Sequence, residues 1–345
     1  MSVVDADHAD AAVGLAAGLV ATAPSGCAVD AIVPAGATVP VAGIGDVRTL
    51  GMGRRELAAA WQLGIVPGVG GGLIHSPTLM APLVRHDRVH DNDQTTVTVW
   101  DLRAWEAPEM LSKGSVAWQR GMLRRAVRHA DAVVVPSHAV AERLSELARI
   151  GDRLRVIAGA PPQGFRAPGD ASARRRALSL PDEYVVLTGS VSSLPDGFRG
   201  AVAAGLDAVV IDAPEGAEPR YADAAAAAGL PERRTHVRGT LSIEDRAAVL
   251  HGASAYVATD PVAGWPWRAV EAMVLGVPVV AVSSGSHRDV IADGGMLVPA
   301  EAIAEAVAEA TGGAADRLRV LASDRSRAFS WASSAERLWG LHADL

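Results

Sequence analysis

Residues 254–299, SAYVATDPVAGWPWRAVEAMVLGVPVVAVSSGSHRDVIADGGMLVP, constrain the fold more tightly than any other stretch of the chain. A short apolar strand at 255–258 runs into a polar loop containing Gly and Pro, and the loop opens onto a helix predicted over 267–275. Gly276 ends that helix, and a second apolar, β-branched run at 277–282 reads as another buried strand. Strand, loop, helix and strand in this order make half of a parallel sheet. The loop then lies at the carboxyl end of a strand, where open α/β sheets bind ligands. A helix opening there offers unpaired N–H groups and a positive dipole end, which suits an anion such as phosphate.

The rest of the chain continues the same alternation. Strands are expected at 29–33, 73–76, 95–100, 132–135 and 155–158, and helices at 10–23, 56–64, 115–130 and 137–150. The start, with only Val3 and Val4 as a stub of strand, looks clipped beside the five-residue first strand usual in doubly wound domains. Residues 159–181 are rich in Pro, Gly and polar side chains and read as a linker. A second series follows, with strands at 184–187, 208–211 and 235–238 and helices at 195–204, 221–228 and 242–250. Helices at 301–311, 314–323 and 330–341 close the chain. Two βα series in 345 residues, with 49% apolar content, fit two Rossmann-like domains facing a central cleft. The expected boundaries are a first domain at 1–158, the linker at 159–181, a second domain at 182–328 and a closing helix at 329–345 that returns to the first domain.

Composition excludes several classes. A net charge of -7 provides no general basic field for nucleic acid. The single cysteine, Cys27, rules out an internal disulfide and a cysteine zinc cluster, in keeping with a reducing cytoplasm. No apolar run reaches the roughly 18 residues of a spanning helix, and acids stand where a signal peptide carries positive charge, so a soluble, cytoplasmic protein is expected. Lys113 is the only lysine; with the heavy use of alanine this reads as compositional bias, and Ala-rich runs are given no function.

Several segments, taken in order, resemble the family 4 retaining glycosyltransferases of GT-B fold. They are DAVVVPSHAVAERL at 131–144, RLRVIAGAPPQGF at 153–165, VRGTLSIEDRAAVLHGASAYVATD at 237–260, RAVEAMVLGVPVVAV at 268–282, SHRDVIADGGMLVP at 286–299 and FSW at 329–331. The resemblance covers most of the chain from about Leu73 and is specific in order and spacing. It implies transfer of a sugar from a nucleoside-diphosphate sugar to a glycan, lipid-linked or small-molecule acceptor with retention, with no cofactor and no obligatory metal. A catalytically degenerate relative that binds a nucleotide or a partner is the other function the sequence allows.

The resemblance assigns site residues only where the chain has them. Glu271 ends the family's Glu-x7-Glu motif and would hold the donor ribose hydroxyls, since a carboxylate accepts two such bonds. Ala263 stands where the first Glu faces the sugar, followed by Gly264 and Trp265 in the donor loop. The family's His-Asp-Leu reads Trp100, Asp101, Leu102, so the histidine that approaches the reacting sugar is absent. The Gly-Arg and Lys that neutralise the leaving diphosphate read Gly189, Ser190 and onward without a cation. One preorganised donor to developing charge is worth about 2.7 to 4 kcal/mol, so these losses weigh on catalysis. Arg268, in the first turn of the donor helix, is the expected replacement on the phosphates; a solvated helix residue is the alternative. On the acceptor side stand His75, Ser76 and Gly14, the last within what remains of the family's glycine-rich loop at 11–14.

Other features have two readings each. His86 and His90 lie four apart among aspartates, which suits either a metal on a helix or a polar surface loop. Arg120, Arg124 and Arg128 form a stripe that reads as a solvated face or as a weak peripheral contact with the inner membrane face. Asp131 and Ser137 have no histidine in register for a hydrolase triad, and Ser137 reads as a helix cap. Trp265 and Trp267 either stack on a ligand or fill the space left by the missing Glu.

Overall fold

The computed structural model describes residues 5–66, 68–87, 93–261 and 264–345. The chain forms two compact units, the first comprising Met1–Gln163, Ala263–Trp265 and Phe329–Leu345, the second Gly164–Val262 and Pro266–Ala328.

Unit 1 begins with helix α1 (Ala6–Ala21), strands β1 (Ala31–Val33) and β2 (Val47–Thr49), and helix α2 (Arg54–Leu63). Strands β3 (Leu73–Ser76) and β4 (Gln94–Thr98), helices α3 (Arg103–Glu106) and α4 (Lys113–His129), strand β5 (Ala132–Val135), helix α5 (His138–Leu147) and strand β6 (Leu154–Val156) follow. The sheet is parallel throughout, in the order β3-β4-β5-β6, while β1 and β2 pair only with each other. β5 is buried along its whole length, as an apolar strand covered on both faces must be. Its flanking helices start where side chains satisfy free N–H groups: Ser112 caps α4 and Ser137 caps α5.

Unit 2 contains helix α6 (Ala171–Ala177), strand β7 (Tyr184–Thr188), helix α7 (Leu194–Ala204), strand β8 (Asp207–Val210), helix α8 (Glu218–Ala227), strand β9 (Thr235–Val237), helix α9 (Ile243–His251) and strand β10 (Ala255–Ala258). It continues through helix α10 (Trp267–Val274), strand β11 (Val279–Val282), helix α11 (Gly285–Val290), strand β12 (Met296–Val298) and helices α12 (Ile303–Thr311) and α13 (Ala315–Ser326). All six strands are parallel in the order β12-β11-β10-β7-β8-β9. From β7 the chain winds outward one way and from β10 the other. The switch point of the sheet, where an α/β unit opens a crevice, therefore lies at the carboxyl ends of β7 and β10.

One element departs from the sequence reading. α6 lies inside the stretch expected to be linker, held by Arg174, which pairs with Asp170 at 2.9 Å and with Asp245 of α9 at 2.8 Å. Residues 11–14, which the resemblance sets against the family's glycine-rich loop, lie within α1, the helix expected at 10–23, whose N-terminus is capped by Asp5. The last helix, α14 (Trp331–Asp344), packs on α1 within unit 1. Gly14 and Gly18 permit that approach: a Cβ on Gly14 would lie 2.3 Å from Trp331 Nε1, and one on Gly18 2.4 Å from the Trp331 carbonyl oxygen. Gly14 thus serves helix packing.

Candidate functional site

At the switch point of unit 2, β7 ends in a turn through Gly189, where a Cβ would come within 2.1 Å of Thr259 Oγ1. Only glycine fits that closeness. The next residue, Ser190, donates its backbone N–H to Asp260 Oδ2 at 2.6 Å and its hydroxyl to Oδ1 at 3.2 Å. Ser193 and Thr259 hydroxyls meet at 2.8 Å beneath them. The turn after β7 therefore holds hydroxyls and a carboxylate.

On α10, Glu271 is 1% exposed and its carboxylate is already engaged. Arg246 of α9, also buried, reaches it through Nε at 2.9 and 3.1 Å and through Nη2 at 2.8 Å. Arg268 adds Nη1 at 3.1 Å and uses Nε to hold Asp212 Oδ2 at 2.7 Å. Asp212 follows β8 with a left-handed φ of 59°. The Arg246 guanidinium also lies 6.0 Å from the centre of the Phe165 ring, a cation–π distance. Arg268, expected on phosphates or in solvent, is in this structure the link between Asp212 and Glu271. Ala263 lies outside the described residues. Sequence reasoning passed over Arg246, Asp212 and Asp260. One signal was available: Arg246 and Glu271 are opposite charges set among the apolar residues of two helices, and charge on a buried helical face calls for a partner.

Gly264 and Trp265 belong to unit 1. Gly264 bridges Asp101 in antiparallel fashion, and a Cβ on it would lie 2.4 Å from the Trp100 carbonyl oxygen. Trp265 donates its backbone N–H to that oxygen at 3.1 Å and is buried edge-on against Phe329, with ring centres 5.2 Å apart. Trp100 is itself core: its Nε1 donates to the Pro77 carbonyl at 2.8 Å and its ring stands edge-on to Trp331. Asp101 lies in a small charged cluster, with His8 Nε2 at 3.2 Å and Arg103 Nη2 at 2.8 Å; the same Arg103 atom holds Asp5 at 2.8 Å. Burial raises the Asp101 pKa, but the His8 hydrogen bond and the Arg103 charge outweigh it and keep the carboxyl far below the usual range.

His75 and Ser76 line a cavity of about 880 Å³ in unit 1, together with His8, Trp61, Trp339 and His342. Their polar atoms are committed. His75 lies between Thr96 Oγ1 at 2.7 Å and Thr98 Oγ1 at 3.1 Å, and the Ser76 hydroxyl donates to the Met80 carbonyl at 2.8 Å. Burial, with a contribution from neighbouring His342, pushes the His75 pKa down to about 3, so the ring is neutral at physiological pH.

Two of the sequence readings change here, those of Asp131 and Arg120, while that of Ser137 stands. Asp131, expected to lack a histidine, has one: His86 Nε2 lies 3.0 Å from both its oxygens, while His86 Nδ1 faces the Val84 carbonyl at 3.1 Å. That engagement leaves His86 as a structural partner of Asp131, and His90 lies outside the described residues. Ser137 caps α5 by accepting the Val140 N–H at 3.2 Å. Arg120 of the basic stripe turns back to the Ala104 carbonyl at 3.0 Å, leaving Arg124 and Arg128 exposed. Among the described residues no group of His, Cys, Asp or Glu is placed to hold a metal, and no helix is long and apolar enough to cross a membrane.

The two parallel-sheet units have the architecture of solved GT-B proteins. Anabaena Alr3699/HepE, solved in complex with UDP and glucose, superposes with a TM-score of 0.65 over 99% of this chain and 96% of its own, at 18% identity. Sucrose-phosphate synthase from Thermosynechococcus elongatus gives 0.63 over 96% and 91%, at 21% identity. The chain is therefore a GT-B α/β protein. Within it, residues 204–313 match the family described as glycosyl transferases group 1. A D-inositol 3-phosphate glycosyltransferase from Stackebrandtia nassauensis is 32% identical over 251 residues, which are 63% of this chain and 55% of that protein. The shared region thus spans about half of the curated relative's length.

Proposed function

We propose that the protein is a cytoplasmic glycosyltransferase that takes a sugar from a nucleoside-diphosphate donor and passes it to an acceptor with retention, using no metal. The observation that carries this reading is the position of Glu271. It lies on the helix that follows the switch-point strand β10, within the region matching the group 1 glycosyltransferase domain. UDP in the complexes of structural relatives makes a uridine nucleotide the first donor to try. Unit 2 would bind the donor through Glu271, Arg268 and the amides near Gly189, and the cavity of unit 1 beside His75 and Ser76 would take the acceptor.

A second reading is favoured by a specific observation. Glu271 is held by two arginines, and the Ser190 amide after β7 is held by Asp260, with no cation bonded to either among the described residues. These features support a relative that binds a nucleotide without transferring sugar. Calorimetric titration with uridine, guanosine and adenosine diphosphates, followed by incubation with the corresponding glucose donors, separates the two. Binding with release of free nucleotide diphosphate supports transfer. Binding without turnover supports the silent relative, and no binding at millimolar ligand removes both.

A further inference from the structure

Two groups at the unit 2 switch point are well suited to hold an anion: the Ser190 amide in the turn before α7, and the Arg268 guanidinium in the first turn of α10. Each already holds one. Asp260 receives the Ser190 N–H at 2.6 Å and its hydroxyl at 3.2 Å, and Asp212 receives Arg268 Nε at 2.7 Å. The Asp212 arrangement is not a passive one. A φ of 59° is uncommon for a residue with a side chain, although Asp is among those that tolerate it best. The geometry aims a carboxylate at a guanidinium that also faces Glu271.

The hydrogen bonds point the same way. Arg246 and Arg268 both face Glu271, Arg268 also faces Asp212, and Asp260 takes the Ser190 amide and hydroxyl. A diphosphate entering here gains the Arg268 Nε or the Ser190 amide only by displacing a carboxylate. A nucleoside brings no charge to those positions and displaces nothing.

We infer that Asp212 and Asp260 are internal counter-ions occupying the anion positions of the donor site, and that they set its selectivity by holding down affinity for the diphosphate relative to the nucleoside. This rests on the reading of the switch point as a nucleotide-diphosphate site. The two carboxylates are then specificity residues: their effect is on the charged part of the donor and not on its base or ribose.

The test is calorimetric titration of the full chain with UDP and with uridine, for the native protein, Asp212→Asn, Asp260→Asn and the double variant. Asp212→Gly serves as a second replacement that suits the left-handed backbone. Each single change is expected to tighten UDP roughly tenfold, and the double change roughly a hundredfold, with uridine unaltered. The gain should shrink in high salt, because it is electrostatic. A general loosening or tightening of the fold would move UDP and uridine together, and that outcome overturns the inference. So does UDP affinity that is unchanged or weaker in both Asp212 variants. If the native protein binds UDP far better than uridine and no variant alters the ratio, this inference falls while the transferase reading stands. If neither the native chain nor the double variant binds UDP, both fall.

Discussion

The Arg246 guanidinium and the Glu271 carboxylate, both almost wholly buried, meet through hydrogen bonds of 2.8, 2.9 and 3.1 Å. Removing one partner leaves a charge in a medium that cannot solvate it. Arg246→Leu is expected to destabilise unit 2 by about 3 kcal/mol, the lower part of the range for a broken buried pair, because Arg268 still faces Glu271. Arg246→Leu combined with Glu271→Leu should recover most of the loss, since apolar pairs often replace buried ion pairs at little cost. Hydrogen exchange along β7 to β12 measures this separately from unit 1. A double variant no more stable than the single would mean that the pair is not the source of the loss.

Glu271 also separates structure from ligand binding. If it contacts ribose as well as Arg246, Glu271→Gln should weaken uridine and UDP equally, because both carry the ribose. Unchanged uridine affinity in a folded Glu271→Gln protein would confine this residue to its ion pairs.

The contact between α1 and α14 makes a prediction about shape alone. Gly14→Ala and Gly18→Ala should each cost about 1 to 3 kcal/mol through overpacking. They should differ in rescue. The atom nearest the added methyl at Gly14 is Trp331 Nε1, so Trp331→Leu relieves it; at Gly18 it is the Trp331 carbonyl oxygen, which no side-chain change removes. Thermal melts of the three single variants and the two doubles with Trp331→Leu give the comparison. Equal rescue of both would contradict the packing.

These cases show what could be read from the chain. Strands at 73–76 and 132–135 stand at the residues where apolar, β-branched runs place them, and the β10, α10, β11 succession follows from local pattern and the Gly276 stop. Local pattern could not reach the pairing of Arg246 with Glu271, 25 positions apart, or of Ser190 with Asp260, 70 apart, because such partners are set by sheet order. α6 was obscured by its setting: ASARRRA is short, mostly charged and small, and surrounded by Pro and Gly; tertiary contact with α9 fixes it. The helix over 10–23 was legible, but the packing role of Gly14 was not, because the Trp331 it admits lies more than 300 residues on and only the fold brings it there.

Acid stability gives the last prediction. The His75 pKa is lowered from 6.5 to about 3 by burial and by His342, so between those values the unfolded chain binds a proton that the folded chain refuses. The neutral ring therefore contributes stability that is fully present above about pH 6.5 and is lost as pH falls toward 3. The slope reaches about 1.4 kcal/mol per pH unit for one fully shifted group. His342 and His287, both lowered by burial, act in the same direction. Asp101 acts elsewhere: its folded pKa is depressed from 3.8, so its contribution is intact above that value and is lost only at lower pH. Urea denaturation between pH 7 and 4.5 should show stability falling with acid, with a shallower slope in His75→Gln and an unchanged one in Asp101→Asn. A His75→Gln slope equal to that of the native chain would show that His75 takes up its proton in the folded state as readily as in the unfolded one.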